Sequence, residues 1–105
     1  LPKDFTDKFY GKIMNLHPSL LPKFKGLDTH KKVLASKEEY HGASVHFVTS
    51  KLDDGPVIIQ GKTKILKSDS ENTLRDRVHR IEHNIFPLAI KWFIEKSLID
   101  FITIN

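Results

Sequence analysis

The apolar positions of this chain fall into three rhythms. Ile13-Met14-Asn15-Leu16 is a short, mostly apolar run, which predicts a buried strand. His17-Pro18 ends it, because proline has no amide hydrogen for a strand ladder and biases the residue before it toward extended geometry. Pro18 to Gly26 reads as a loop, and Thr29 as the cap of a helix from His30 to about Lys37. Gly42 breaks the pattern. Ala43 to Thr49 is rich in β-branched and aromatic residues and predicts a second strand. Pro56 to Leu66 predicts a third. The connector between them, Ser50 to Gly55, is too short for a crossover helix, so the two strands pair antiparallel as a hairpin. From Ser70, a good N-cap followed by Glu71, the rhythm becomes helical as far as about Lys96. Leu74, Val78, Ile81, Ile85, Leu88 and Trp92 recur three or four residues apart, and Pro87 is expected to kink or loosen this helix. Residues 4–11 read as the tail of a helix, and Phe101 to Ile104 as a final edge strand. The sum is an α/β layer arrangement with a mixed sheet.

At 105 residues, with 39% hydrophobic and 29% charged residues, the chain has the size and composition of one globular domain, 1–105. No apolar run approaches a membrane span, and Leu1 to Phe9 is charged and lacks the apolar stretch of a secretory leader. Cysteine is absent, which excludes disulfides, thiolate zinc sites and cysteine nucleophiles, and fits a reducing, cytoplasmic setting. The net charge of +4 comes mostly from scattered lysines, the pattern of a solvated surface rather than of a nucleic-acid footprint. The only methionine is Met14, and the chain starts at Leu1, so it is expected to be part of a longer product.

The residues suited to chemistry are few. Asn15 and His17 lie two apart at a strand end, on the same side of the strand. A histidine exchanges protons near neutral pH, and an amide can donate to an oxygen that gains charge in a transition state. Taken alone, such a pair is more often a turn cap beside a satisfied loop histidine. Asp53 sits in the hairpin connector, where Asp is favoured for turn chemistry. Folded toward His17, it would orient the ring or relay a proton. His41, His46, His79 and His83 invite a metal reading, but His79 and His83 lack the H-E-x-x-H order and fitting further ligands, so no metal site is expected. His46 reads as a core histidine with a hydrogen-bonded ring. His79 and Glu82, one turn apart beside the apolar stripe, suit either an exposed face or a sugar hydroxyl. There is no nucleophile elbow and no glycine-rich phosphate loop in these residues.

Taken together, Asn15-Leu16-His17-Pro18-Ser19-Leu20-Leu21-Pro22, Lys23 to His30, Val45-His46-Phe47-Val48-Thr49 with Leu52-Asp53, Gly55-Pro56-Val57-Ile58, and Glu82-His83 with Pro87 resemble the phosphoribosylglycinamide (GAR) formyltransferase family. The resemblance implies a Rossmann-like formyltransferase fold with the N-terminal half of the usual domain absent. It also implies an enzyme of purine biosynthesis that transfers a formyl group from 10-formyltetrahydrofolate to the amine of glycinamide ribonucleotide. By the same resemblance, Asn15 hydrogen-bonds the formyl oxygen, His17 is the active-site histidine and Asp53 its carboxylate partner. Asn15, Thr49, Ser50, Lys51, Leu52 and Asp53 line the folate site, and Pro18, His79 and Glu82 meet the nucleotide.

His79 stands where the family often has Gln, and Ser50 and Asp54 vary within the connector. Family members are about twice this length and place their phosphate-binding loop in the part before Leu1, so little turnover is expected of the chain alone. The alternatives are a formyltetrahydrofolate hydrolase, which shares several of these features but uses water as nucleophile, and a non-catalytic folate-binding fragment. A related methionyl-tRNA formyltransferase fits less well after Gly26. The expected partners are GAR and folate, without nucleic acid or membrane. Self-association is expected through the sheet edge at Ile13–Leu16.

Overall fold

The computed structural model describes residue 3 and residues 11–104. Among the described residues, three strands and two helices run in the order β1 (Met14–His17), α1 (Thr29–Leu34), β2 (Tyr40–Phe47), β3 (Val57–Lys64) and α2 (Glu71–Ile104). The strands lie side by side as β1-β2-β3. The expected hairpin is present, but both pairs are antiparallel, so the described sheet is antiparallel rather than mixed. The expected helix over residues 4–11 lies almost wholly outside the described residues.

Strand alternation divides the sheet into two working faces. On one, Met14 and Leu16 of β1, Ala43 and Val45 of β2, and Ile59 of β3 pack with Val78, Ile85 and Ala89 of α2 to form the core. On the other, Asn15 and His17 of β1 stand opposite His46 and Ser44 of β2. A register shift after Val45 pairs Val45 with Ile59 but His46 with Val57, leaving Ile58 as the extra residue of a bulge.

Gly42 does not break the chain; it lies inside β2, opposite Lys62. A Cβ there would run into the Gly61 carbonyl, so the position is glycine because the two backbones approach closely. The first helix is shorter than expected. It ends at Leu34, and its N-cap is Asp28, whose φ of 57° is left-handed and whose side chain makes no cap bond. The Thr29 hydroxyl instead donates to the Pro18 carbonyl at 2.6 Å.

The long helix starts as expected, with the Thr73 amide donating to Ser70 Oγ at 3.2 Å. Arg77 reinforces that start by donating to both oxygens of Asp69, at 2.7 and 2.6 Å, and to the Lys64 carbonyl at 3.0 Å. These bonds hold the buried Asp69 carboxyl well below the usual carboxylate range. The helix runs through Pro87 without ending, and residues 101–104 are helical rather than the expected edge strand. Its buried stripe also differs: Leu74, Val78, Ile85 and Ala89 are buried, whereas Leu88 and Trp92 are exposed. Trp92 nonetheless keeps its ring beside Phe47 of β2, with centroids 6.3 Å apart.

His30 of α1 and His41 of β2 meet in the interior, Nδ1 to Nε2 at 3.0 Å. Burial, then the His30 and His17 rings, lower His41 to about 4. Burial, then Arg75 and His79, lower His30 against the pull of Glu71. An unfolded histidine titrates near 6.5, so as pH falls below that value the unfolded chain gains protons that the folded one refuses. Stability is therefore full above about pH 6.5 and falls as pH drops toward 4, by on the order of 2 kcal/mol from His41. Urea titrations at pH 7.5 and 4.5 measure this, and His41→Phe flattens the difference. Gly42→Ala, in contrast, lowers stability at every pH, by about 1–3 kcal/mol from overpacking.

Candidate active site

The polar face of the sheet is covered by the loop of residues 18–28, and buried hydroxyls fasten it there. Ser44 Oγ donates to the Ser19 carbonyl at 2.7 Å and accepts from the Leu21 amide at 3.0 Å. Gln60 Nε2 adds bonds to the Leu21 carbonyl at 2.8 Å and to Ser44 Oγ at 2.9 Å. Ser19 Oγ closes the turn on the Lys23 carbonyl at 2.6 Å. So anchored, the loop presents two backbone groups inward, the Phe24 carbonyl and the Gly26 amide. Phe24 (φ 54°) and Gly26 (φ 86°) both take the left-handed conformation that turns the chain here.

His17 is 5% exposed. Its Nε2 lies 2.8 Å from the Phe24 carbonyl. A carbonyl oxygen only accepts, so Nε2 carries the proton and Nδ1 faces the other way. There it meets Asp53 Oδ2 at 3.4 Å. The same Asp53 oxygen accepts the Gly26 amide at 2.8 Å. Asp53, itself left-handed with φ 50°, is thus turned inward from the connector and buried between β1, the loop and β2. At the rim, Lys25 donates to Asp54 Oδ1, joining the loop to the connector and lowering the exposed Asp54 carboxyl.

Two cavities flank this contact. The first, about 410 Å³, is lined by Asn15, Thr49, Ser50, Lys51, Leu52 and Asp53, every residue expected at the folate site, together with His46. The second, about 290 Å³, is lined by His17, Pro18, Asp28, His30, Glu71 and Arg75 among others. His17 and Asp53 therefore stand between two concave spaces. His79 and Glu82 line neither of the two. His79 is exposed, and Glu82 is partly buried on α2. Burial raises the Glu82 carboxyl, opposed by His79, His83 and His17, so Glu82 lies within electrostatic reach of His17.

Three site elements escaped the sequence reading. The Phe24 carbonyl and Gly26 amide are backbone groups, for which the only signal was the glycine. His46 was expected in the core with a hydrogen-bonded ring. It is indeed 2% exposed, and its Nδ1 donates to the Phe47 carbonyl at 3.0 Å. Its Nε2, however, faces Asp53 Oδ1 at 3.7 Å. Among the described residues, no group of three or more His, Cys, Asp or Glu is arranged to hold a metal ion.

Chemically, this arrangement offers a donor amide at the cavity wall (Asn15), a histidine of fixed tautomer and a buried carboxylate behind it. That combination suits the capture of a developing oxyanion and the movement of a proton.

Comparison with known proteins gives this geometry a context. The sequence profile of the family described as "Formyl transferase" matches residues 1–90. The phosphoribosylglycinamide formyltransferase of Escherichia coli K12 is 49% identical over 94 residues, covering 90% of this chain and 44% of that protein. The human trifunctional purine biosynthetic protein adenosine-3 is 41% identical over 87 residues, covering 83% of this chain and 9% of that protein. Among solved structures, the phosphoribosylglycinamide formyltransferase of Coxiella burnetii superposes with a TM-score of 0.84 at 48% identity, covering 89% of this chain and 44% of that one. The chain thus spans less than half the length of the bacterial relatives it matches.

Removing the Ser44 hydroxyl tests the loop anchorage. Ser44→Ala leaves the Leu21 amide and Ser19 carbonyl without that partner, at a cost of about 1–3 kcal/mol. Hydrogen exchange at Leu21 accelerates more than at amides of the β2–β3 ladder.

Proposed function

The chain belongs to the formyl transferase family, and on that footing we propose that it carries acid–base and folate-binding residues for transfer of a formyl group from 10-formyltetrahydrofolate to the amine of glycinamide ribonucleotide. The observation that supports this best is the buried Asp53–His17 contact, 3.4 Å long, set between two cavities. Transfer between two substrates needs a reacting centre that both can reach.

In this reading the folate lies in the cavity walled by Asn15, Thr49, Ser50, Lys51, Leu52 and Asp53. The amine nitrogen attacks the formyl carbon, and the carbonyl oxygen gains negative charge. Asn15, on the wall of that cavity, donates to that oxygen, while His17 stays turned to Asp53. The nitrogen sheds a proton, and Asp53 receives it directly or through water, then returns it to the folate nitrogen as the carbon–nitrogen bond breaks. The chemistry as written calls for no metal and no covalent enzyme intermediate. Pro18 borders the second cavity, on the acceptor side. Glu82, partly buried on α2, accepts from a sugar hydroxyl, with His79 nearby.

Residues 1–105 form one domain in this proposal, acting in the cytoplasm on small molecules. Among the described residues no helix is long and apolar enough to cross a membrane. β1 stands at the edge of the described sheet and is the surface through which copies of the chain would associate.

The test is formyl transfer measured on the chain alone and mixed with the segment of the Escherichia coli relative that it does not span. His17→Ala and Asp53→Asn each lower the rate by about 10²–10³-fold, and Asn15→Ala does so without abolishing folate binding measured by calorimetry. Release of formate without transfer would move the reading to a hydrolase. Folate binding with no turnover in any mixture would leave a binding fragment.

A further inference from the structure

Among the described residues, the buried side-chain nitrogens without a hydrogen-bond partner are His41 Nδ1 and His46 Nε2. His41 borders a second ring, but His46 Nε2 points at a carboxylate oxygen, Asp53 Oδ1, at 3.7 Å. The two rings beside Asp53 are held in the same way. Each spends one N–H on a backbone carbonyl: His17 Nε2 on Phe24 and His46 Nδ1 on Phe47. If both rings are neutral, the nitrogens facing Asp53 carry lone pairs, and so does every site on an ionised carboxylate. Three acceptors would then converge without a proton where the side chains are only 3–7% exposed. The Gly26 amide satisfies Oδ2 alone.

We propose that His46 is a positioning residue of this site: with His17 and Asp53 it shares one resident proton, which keeps the Asp53 carboxylate drawn in between the two rings. The same geometry gives the cluster a definite capacity. With two extra protons both rings donate toward Asp53, one to each oxygen, and every polar atom is matched. With one, a single place is open.

The use of that open place rests on the formyl-transfer reading; the proton count rests on the tautomers alone. In use, the amine N–H bond breaks as its nitrogen bonds to the formyl carbon, and that proton fills the open place. One proton then passes to the folate nitrogen as its bond to the formyl carbon breaks, and the count returns to one. Other charged groups act on the cluster from each neighbouring element. Glu82 of α2 and His41 of β2 act on His17. Lys51 and Asp54 of the connector and Lys25 of the loop sit at its rim.

Nuclear magnetic resonance of the ¹⁵N,¹³C-labelled chain at pH 7 counts these protons. The expected pattern is Nε2–H on His17, Nδ1–H on His46, and one further proton, seen as an imidazolium signature in one ring or as a protonated Asp53 carboxyl. In Asp53→Asn the further proton is lost and both rings are neutral. His46→Asn keeps a donor for the Phe47 carbonyl but presents nothing to Asp53, and shifts the His17 Nδ1 resonance. His46→Gln reaches Asp53 Oδ1 and restores it. Where formyl transfer is measurable, His46→Asn lowers kcat and His46→Gln restores it. Two neutral rings beside an ionised carboxylate in the unaltered chain overturn the proposal, as does His46→Asn that leaves His17 unmoved. The expected proton count in a chain that transfers no formyl group under any condition would overturn the functional reading and leave the count standing.

Discussion

The carboxylate of Asp53 is the constraint on which the site depends. It lies among four segments of chain: His17 at the end of β1, the Gly26 amide of the covering loop, His46 near the end of β2, and its own connector. A buried carboxylate is costly unless its oxygens are matched by donors or charge. Here the matching groups come from segments that are distant in sequence, so satisfying one side chain brings them all into register. The left-handed φ at Asp53 is the local strain that this pairing sustains.

The two faces of the sheet divide the work. The apolar face holds α2 and has the ordinary properties of a core. The other face is polar, and its His17, Ser44 and His46 are buried all the same, because the loop of residues 18–28 closes over it. That loop buries Leu21, and its path is set by hydrogen bonds to Ser44 and Gln60. Such anchorage is directional, unlike apolar packing, and fixes where the Phe24 carbonyl points. This in turn fixes the tautomer of His17. A chain of backbone and hydroxyl contacts, none of them ionisable, therefore sets the proton chemistry of the histidine.

His30 and His41 show the same logic in a simpler form. Two rings share one hydrogen bond in the interior, and burial holds both below their usual range. The pair docks α1 on β2 at neutral pH, and α1 follows directly on the loop that covers the site. The condition of the site and the protonation of this pair are thus mechanically adjacent.

The local periodicities of the sequence were enough to locate the five elements of the described residues, the hairpin and the capped start of α2, because strand alternation and helix spacing are short-range properties of neighbouring residues. They misjudged ends. Gly42 reads as a breaker until the closeness of Gly61 is known, and Phe101 to Ile104 read as a strand because apolar β-branched residues suit either element. Leu88 and Trp92 fit the helical stripe, yet both are exposed, because spacing along a helix does not say what packs against it. Of the site, the sequence determined the residue types and, through the family resemblance, their candidate roles; the structure gathers Asn15, Thr49, Ser50, Lys51, Leu52 and Asp53 around one cavity. Only the tertiary structure decided that Asp53 lies between two histidines, that backbone carbonyls hold their tautomers, and that His46 belongs with the site rather than with the core. The reason is physical. Which ring nitrogen faces a carboxylate depends on the register of two strands and the path of a loop, and no spacing along the chain records either.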